Sequence, residues 1–261
     1  MRMLLLGLVV VAFFVVPPPP FVASRFSGER PAKDCKRVLF VGNSLTFTHA
    51  IPANTQRLAN LLTNGRSLCA VEHASPGATL EWHWNNRDTQ RLLEQPWDYV
   101  VLQEASDRAY GEPDEMARWV ERFVPSIRRS GAQPLLYSIM SNRWDADARR
   151  LLRGRMDGIA QQASARLVPV DGVWSDLLQQ DPAAAIFEPD QHHPGPYGAY
   201  SAALLFARCL VGPLGRPAAY ILAGAWPMPT YRLLLGRPDV AQPAVDTALR
   251  VVESHARTCG T

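Results

Sequence analysis

The sequence is poor in lysine, in net charge and in motifs that bind metals. Lys33 and Lys36 are its only lysines, and the formal net charge is only +3. So small a positive charge, carried by scattered arginines, does not indicate a nucleic-acid partner. No Cys-x-x-Cys or Cys–His spacing suggests a zinc site. We therefore expect neither a nucleic acid nor a metal ion to take part in the function.

The chain also lacks an apolar run long enough to span a membrane. The N-terminal run from Leu4 to Val16 has 13 residues, against the roughly 20 that a transmembrane helix needs. Arg2 precedes it, Pro17 to Pro20 follow it, and Val22-Ala23-Ser24 offers small residues for cleavage. This pattern is typical of a secretory signal peptide. We expect residues 1–24 to be a signal peptide and residues 25–261 to form one periplasmic or secreted domain, with an uncleaved N-terminal anchor as the alternative.

Four cysteines permit two disulfides in an exported chain. Cys35 opens the first predicted strand and Cys69 opens the second, so the two thiols lie side by side if those strands pair. Cys209 is at the end of a predicted helix, and Cys259 is close to the C-terminus. We expect bonds between Cys35 and Cys69 and between Cys209 and Cys259. Four free, buried thiols are the alternative.

Short apolar strands alternate with helical patterns along the chain, whose hydrophobic content of 47% is ordinary for a globular domain. Strands are predicted at 37–41, 68–73, 99–102, 134–139 and 167–170, and helices at 51–62, 89–93, 113–129, 145–165, 196–210, 218–223 and 242–256. Pro125 is expected to kink the helix at 113–129 or to end it early. The alternation predicts an α/β fold with a mostly parallel sheet and helices on both faces.

Loops that follow four predicted strand regions carry groups that acyl transfer requires. In a doubly wound sheet such loops meet at one edge. Ser44 follows the first strand, and an Asp-x-x-His turn contains Asp190 and His193. Serine is a weak nucleophile that needs a neighbouring base, and histidine titrates near neutral pH. A carboxylate on the second ring nitrogen fixes the tautomer. We interpret Ser44 as the nucleophile, His193 as the base and Asp190 as the orienting acid.

Three groups are candidates to stabilise the oxyanion that develops in such a reaction. They are the backbone N–H of Ser44, the backbone N–H of Gly77 and the side-chain amide of Gln103. Glycine at position 77 lets the backbone approach a substrate closely.

Three further residues are candidates for contact with the substrate. Trp82 and Trp84 can stack on a sugar ring or hold an acyl chain, although aromatic residues more often pack in a core. His192 is the alternative to His193 as the base, but the Asp-x-x-His spacing favours His193. His192 is then expected to be a rim or substrate-binding residue.

The motifs resemble those of the SGNH (GDSL-like) hydrolase superfamily over about residues 36 to 211. Gly42-Asn43-Ser44-Leu45 is similar to the first block, Gly77 to the second-block glycine, and Asp190 with His193 to the last block. The resemblance implies a three-layer, flavodoxin-like sandwich with a mostly parallel five-stranded sheet. It also implies the roles of nucleophile, base, orienting acid and oxyanion donor for these residues. The third block departs from the family, because Gln103 replaces the usual Asn, as in a divergent branch.

The combined expectation is an exported serine hydrolase that cleaves a carboxylic ester or a carbohydrate O-acyl ester through an acyl-enzyme. Its partner is a small-molecule or carbohydrate ester, and no metal or organic cofactor is implied. An acyltransferase that uses the same triad is one alternative. A non-catalytic glycan-binding protein on the same fold is another, and the unusual Gln103 favours it.

Overall fold

The computed structural model describes residues 35–63, 65, 67–141, 145–220, 222 and 239–260. The predicted signal peptide lies outside these residues. Within the described ranges, none of the helices combines the length and the apolar character that a bilayer span requires.

Strands and helices alternate as the sequence pattern predicts. The strands are β1 (Lys36–Gly42), β2 (Leu68–Ala74), β3 (Tyr99–Leu102), β4 (Gln133–Tyr137) and β5 (Arg166–Val168). The helices are α1 (Ser44–Phe47), α2 (Ile51–Leu62), α3 (Leu80–Asn85), α4 (Arg87–Leu93), α5 (Ser106–Gly111), α6 (Pro113–Arg129), α7 (Ala146–Gln162), α8 (Val170–Gln180), α9 (Pro196–Val211) and α10 (Gln242–His255). Short 3₁₀ helices cover Thr48–Ala50 and Ala256–Gly260.

The five strands form one parallel sheet in the order β2-β1-β3-β4-β5. Val41 pairs with His73 of β2 on one side and with Leu102 of β3 on the other. The strand order reverses at β1, so the connections on its two sides leave in opposite directions and open a crevice at the carboxyl edge. The predicted α/β fold with a parallel five-stranded sheet is confirmed.

Helices cover both faces of the sheet, which explains why the central strands read as continuous apolar runs. Helices α2, α8, α9 and α10 pack on one another, and α3 and α5 pack with α6 and α7 as a second group. All four residues of Val38–Val41 in β1 are fully buried between these layers. The polar residues that follow the strands are therefore concentrated at the sheet edge.

Both predicted disulfides are present. Cys35 bonds Cys69, with Cα atoms 5.7 Å apart, and Cys209 bonds Cys259, with Cα atoms 5.4 Å apart. The first joins the start of β1 to the neighbouring strand β2, where Arg37 pairs with Cys69. The second joins α9 to the 3₁₀ helix at the C-terminal end of the described residues.

Helix α8 is absent from the sequence prediction, which places no helix or strand between residues 171 and 195. Gly172 lies in its first turn, and glycine within a helical pattern argues against a helix. The His255 ring explains the glycine, because its Cε1 atom lies 2.7 Å from the position that a Cβ at 172 would occupy. Close packing between α8 and α10 is therefore the reason for the residue.

Helices α3 and α5 are also absent from the sequence prediction. Two further details of the prediction differ from the structure. Tyr220 forms an antiparallel bridge with Val240, so the predicted helix at 218–223 is wrong at that residue, and 221 and 223 lie outside the described residues. Helix α6 continues through Pro125 to Arg129, so the proline does not end it early.

Candidate active site

The carboxyl end of β1 presents Ser44 in a strand-to-helix turn. The strand ends at Gly42, and Ser44 is the first residue of α1. Asn43 caps that helix, because its Oδ1 accepts a hydrogen bond from the Leu45 N–H at 3.1 Å. Its Nδ2 donates to the carbonyl of Ala78 at 3.0 Å. Asn43 thus holds the turn in place and joins it to the loop after β2.

Ser44, His193 and Asp190 form a continuous chain of polar contacts. Ser44 Oγ lies 2.9 Å from His193 Nε2, and His193 Nδ1 lies 2.5 Å from Asp190 Oδ2. If Nδ1 donates its proton to the carboxylate, Nε2 is free to accept the proton of the Ser44 hydroxyl. The side chains of His193 and Asp190 are 33% and 36% exposed, which leaves the site open to a ligand.

The Asp190 carboxylate is stabilised in its charged form. Burial acts to raise its pKa, but hydrogen bonds from the His193 side chain and from the backbone N–H groups of His193 and His192 outweigh this effect. Both backbone donors lie 2.9 Å from Oδ1. The pKa of Asp190 is therefore held well below its usual range, and the ionised carboxylate can stabilise an imidazolium beside it.

Residues 190–193, which we call the base turn, are fixed mainly by backbone contacts. Phe187 and Pro194 form an antiparallel bridge across its neck. Gln191 has φ of 60°, a conformation that non-glycine residues adopt at a cost. A Cβ at Gly195 would lie 2.8 Å from the Phe187 carbonyl oxygen, so only glycine allows the chain to pass so closely there.

The loop after β2 brings Gly77 next to the Ser44 turn. Its φ of +66° favours glycine, and the Ala78 N–H closes the turn by donating to the Ser75 carbonyl at 3.1 Å. The Asn43 contact with Ala78 places this loop beside α1. Among the described residues other than its two chain neighbours, none places an atom within 4 Å of the position that a Cβ at 77 would take. The space next to Gly77 is therefore open.

Gln103 has a different role in the structure from the one that the sequence predicts. Its fully buried side chain accepts hydrogen bonds through Oε1 from the Asn43 N–H at 2.8 Å and from the Thr46 hydroxyl at 2.9 Å. Its Nε2 donates to the carbonyl of Glu104. Because Asn43 presents a donor, the oxygen of the amide must face it. The Gln103 amide therefore supports the nucleophile turn and is not directed at an oxyanion in this structure.

Gly42 makes room for that amide. A Cβ at position 42 would lie 2.5 Å from Gln103 Oε1 and would also clash with the Thr46 hydroxyl. The close approach of Gln103 and Thr46 thus requires glycine at position 42.

His83 is a supporting residue that the sequence prediction missed. Its ring is fully buried, and Nε2 donates to the carbonyl of Gly42 at 2.8 Å. Burial, with a smaller contribution from the neighbouring His73, lowers the pKa of His83 to about 4, against the opposing effect of the Gly42 hydrogen bond. The ring is therefore neutral, and it holds the end of β1 from the side of α3.

Glu104 is a second buried support, which contacts the start of α3 after the Gly77 turn. Its Oε1 accepts from the Leu80 N–H at 3.1 Å and from the Ala105 N–H at 2.6 Å. Burial raises the pKa of Glu104 to about 7, although these hydrogen bonds and the charge of Arg108 act in the other direction. Its position directly after β3 was the only sequence signal that could have identified it.

His192 lies between the loops that follow β3 and β4. Its Nε2 is 3.1 Å from Ser106 Oγ, and its Nδ1 is 3.0 Å from Ser141 Oγ. Its ring centroid is 5.2 Å from that of His193. Both ring nitrogens thus contact protein hydroxyls, and a substrate-binding role for His192 stays a prediction.

The two tryptophans have different environments. Trp84 packs edge-on against Phe123 of α6, with ring centroids 5.2 Å apart, so the alternative of a packing role describes it better than substrate contact. Trp82 is 43% exposed and lines a cleft of 440 Å³ with four polar residues, Thr79, Glu81, Asn85 and Asn86. Trp82 is therefore the tryptophan of the pair that a ligand can reach.

A scan of family models and a search of curated proteins found no match to this sequence. Solved structures do match. A predicted SGNH hydrolase from Slackia heliotrinireducens is 27% identical, with a TM-score of 0.53 over 67% of this chain and 98% of that chain.

A DUF4886 family protein from Bacteroides uniformis is 14% identical, with a TM-score of 0.62 over 84% of this chain and 95% of that one. The chain has the fold of the SGNH hydrolases. A catalytic mutant of an acetylxylan esterase from Geobacillus stearothermophilus is 18% identical, with a TM-score of 0.53 over 68% of this chain and 94% of that one. Because the last two proteins are less than 25% identical to this chain, their similarity shows only that the folds are alike.

Proposed function

We propose that this chain is an exported serine hydrolase that cleaves ester bonds. The observation that carries the proposal is the chain of contacts from Ser44 Oγ through the His193 ring to Asp190, at 2.9 Å and 2.5 Å. The residues and their order match what acyl transfer requires. The predicted SGNH hydrolase that is 27% identical supports the same class of activity.

The reaction has two steps. Ser44 Oγ attacks the ester carbonyl while His193 Nε2 takes the hydroxyl proton, and Asp190 stabilises the imidazolium. The tetrahedral intermediate then collapses, the alcohol leaves with the proton from His193, and the acyl group remains on Ser44. In the second step His193 activates a water molecule, which releases the carboxylic acid and restores the hydroxyl. No metal or organic cofactor is needed for either step.

The oxyanion of each intermediate is stabilised by the backbone N–H groups of Ser44 and Gly77. The Ser44 N–H belongs to the first turn of α1, where backbone donors have no intrahelical acceptor. Gly77 is next to open space, and the Asn43 contact holds its loop close to Ser44. Gln103 contributes by fixing the turn that presents the first of these donors.

The substrate is a small-molecule or carbohydrate O-acyl ester. Exposed Trp82 offers a face for an apolar or sugar ring, and the amides of Asn85 and Asn86 beside it suit hydroxyl groups. An acyltransferase would use the same first step and replace water with a sugar hydroxyl in the second. Product analysis of an acetylated sugar, with and without a sugar acceptor, distinguishes the two.

Labelling with a fluorophosphonate and hydrolysis of p-nitrophenyl acetate test the proposal. We expect one adduct, on Ser44, in the folded protein. The substitution Ser44→Ala should abolish labelling and lower kcat by more than ~10³-fold, as in other triads.

Ser130→Ala is the matched control, because Ser130 follows α6 at the opposite edge of the sheet and its hydroxyl donates to the Ile127 carbonyl. It should label and turn over like the wild type. A folded wild-type protein without an adduct on Ser44 would instead favour the non-catalytic, glycan-binding alternative.

Export is part of the same proposal. Two disulfides suit an oxidising compartment, and the N-terminal pattern predicts cleavage after about residue 24. N-terminal sequencing of protein recovered from the periplasm or the medium tests it. A chain that still begins at Met1 would favour the uncleaved anchor.

A further inference from the structure

One side-chain pair joins the segment that carries Ser44 to the segment that carries His193. The pair consists of His49, which lies just after α1, and Glu188, which lies two residues before Asp190. His49 Nε2 is 2.5 Å from Glu188 Oε1, and the two side chains are only 18% and 34% exposed. The triad chemistry does not use either residue, so the contact needs another explanation.

The backbone at His49 has an unfavourable conformation. His49 has φ of 54° and Ala50 has φ of 49°, two consecutive non-glycine residues in the left-handed region. Such conformations are unfavourable for non-glycine residues and persist where the surroundings enforce them. Here buried Asn54 donates through Nδ2 to the carbonyl of His49 at 2.7 Å and to that of Ala50 at 3.2 Å. Tyr220 in turn donates to Asn54 Oδ1 at 3.2 Å.

The main chain of Glu188 holds both ends of the base turn. Its N–H donates to the carbonyl of His193 at 2.8 Å, and its carbonyl accepts from the Gln191 N–H at 2.9 Å. A displacement of Glu188 therefore moves the general base and its orienting acid together. A misplacement of about 1 Å in an active site can lower the rate by about 10²-fold.

The geometry points to His49 as a positioning residue that sets the distance between His193 and Ser44 through its contact with Glu188. The strained turn, held by Asn54 of α2, directs the His49 side chain to Glu188, and the backbone of Glu188 transmits the constraint to the base turn. This role rests on the proposed function, since it concerns the geometry of the same triad.

A second histidine–carboxylate pair provides an internal control. His255 Nε2 lies 2.7 Å from Asp176 Oδ2, with side chains 21% and 43% exposed. The contact distance and the side-chain exposures resemble those of the pair formed by His49 and Glu188. However, this pair joins α10 to α8, and neither helix carries a residue of the triad. Loss of the second pair should affect stability alone.

Two substitutions of His49 separate its backbone role from its side-chain role. Asn tolerates left-handed backbone conformations, so His49→Asn keeps the turn, but its shorter side chain cannot place a donor where Nε2 lies. The longer glutamine side chain of the His49→Gln variant can place an amide nitrogen near the position of His49 Nε2. For p-nitrophenyl acetate we expect His49→Asn to lower kcat by about 10- to 100-fold with KM almost unchanged. His49→Gln should restore kcat to within about 5-fold of the wild type.

His255→Asn should leave kcat and KM at the wild-type values, and thermal unfolding checks that every variant is folded. A double-mutant cycle with Glu188→Ala adds a second test that does not depend on one variant. If the two residues act through one contact, the double variant should lose no more kcat than the worse single variant, within about 3-fold.

Any of three results would overturn the positioning role. They are a wild-type kcat in His49→Asn, a loss of kcat in His49→Gln equal to that in His49→Asn, and fully additive losses of kcat in the double-mutant cycle. Ser44→Ala keeps this result separate from the proposed function. If Ser44→Ala abolishes turnover and His49→Asn does not change it, the positioning role alone fails. If Ser44→Ala keeps its activity, the proposed function itself is wrong.

Discussion

Ser44 and His193 are 2.9 Å apart, yet the segments that carry them are held in opposite ways. The Ser44 turn is supported by buried side chains from distant parts of the sequence, among them Gln103 and His83, both fully buried.

The base turn is closed mainly by contacts among neighbours, such as the backbone N–H groups that donate to Asp190. Distant side chains contact it at His192 and at the adjacent Glu188. The side chains of His193 and Asp190 are 33% and 36% exposed.

This difference separates activity from stability. Polar groups that support the Ser44 turn are removed from water, so the loss of a partner costs free energy of folding. The base turn is exposed to water, and a change there can disturb the chemistry while the fold remains intact. Substitutions in the support of the Ser44 turn should therefore lower stability, whereas substitutions in the base turn should lower activity with little change in stability.

The largest expected effect comes from a substitution in the exposed base turn. Asp190→Asn keeps an oxygen for the two backbone donors but presents an amide N–H to His193 Nδ1, which favours the wrong ring tautomer. We expect kcat to fall by about 10³- to 10⁴-fold, while the free energy of unfolding changes by less than about 1 kcal/mol. Steady-state kinetics and urea unfolding measure the two quantities.

Asp181→Asn is the matched control for that substitution. Asp181 also accepts a backbone N–H in an exposed turn, from Ala183 at 3.0 Å, but it contacts no catalytic histidine. A loss of several kcal/mol in Asp190→Asn would contradict the separation of activity from stability.

The next largest effect comes from a substitution in the buried support of the Ser44 turn. Gln103→Met removes the acceptor of the Asn43 N–H and of the Thr46 hydroxyl, and it leaves the Glu104 carbonyl without its donor. At about 1–3 kcal/mol for each buried group without a partner, we expect a loss of roughly 3–5 kcal/mol in urea unfolding.

Gln133→Met tests whether any glutamine would give the same result, because Gln133 is exposed at the start of β4. It should change stability by less than about 0.5 kcal/mol. Equal losses in the two variants would show that the buried network contributes little.

The smallest effect is on the pH dependence of stability. The pKa of Glu104 is about 7 in the folded protein, against an ordinary value of 4.5, so its contribution to stability falls as pH rises between these values. The pKa of His83 is about 4, against 6.5, so its contribution falls as pH decreases between these values. The two slopes oppose each other in the overlap from about pH 4.5 to 6.5.

Glu104→Gln should therefore remove the loss of stability on the alkaline side and expose the loss on acidification that His83 causes. Since one pKa unit corresponds to ~1.4 kcal/mol, the change should be on the order of 1–3 kcal/mol. Urea unfolding from pH 5 to pH 8 measures it, with Glu94→Gln as an exposed control. Identical pH profiles in wild type and Glu104→Gln would refute the assignment.

The difference between local and distant support also explains which features could be predicted. All five strands follow from apolar runs, because both faces of the central strands are covered by helices. Asp190 and His193 are three residues apart, and their contact within one turn is a local property. The pairing of Cys35 with Cys69 followed from the expectation that β1 and β2 are neighbours. Helix α8 was missed because the reason for Gly172, the ring of His255, lies 83 residues further along the chain.

The sequence by itself predicted the five strands, the longest helices and the residues that meet at the carboxyl edge of the sheet, and it favoured the observed disulfide pairing. These features depend on the periodicity of apolar residues, the order of the elements and the positions where strands end, all of which can be read from one sequence. Only the tertiary structure decided the orientation of the Gln103 amide, the burial of His83 and Glu104, and the contact between His49 and Glu188. Each of these depends on which donor or acceptor a distant segment presents inside a site that excludes water, and no local pattern encodes that pairing.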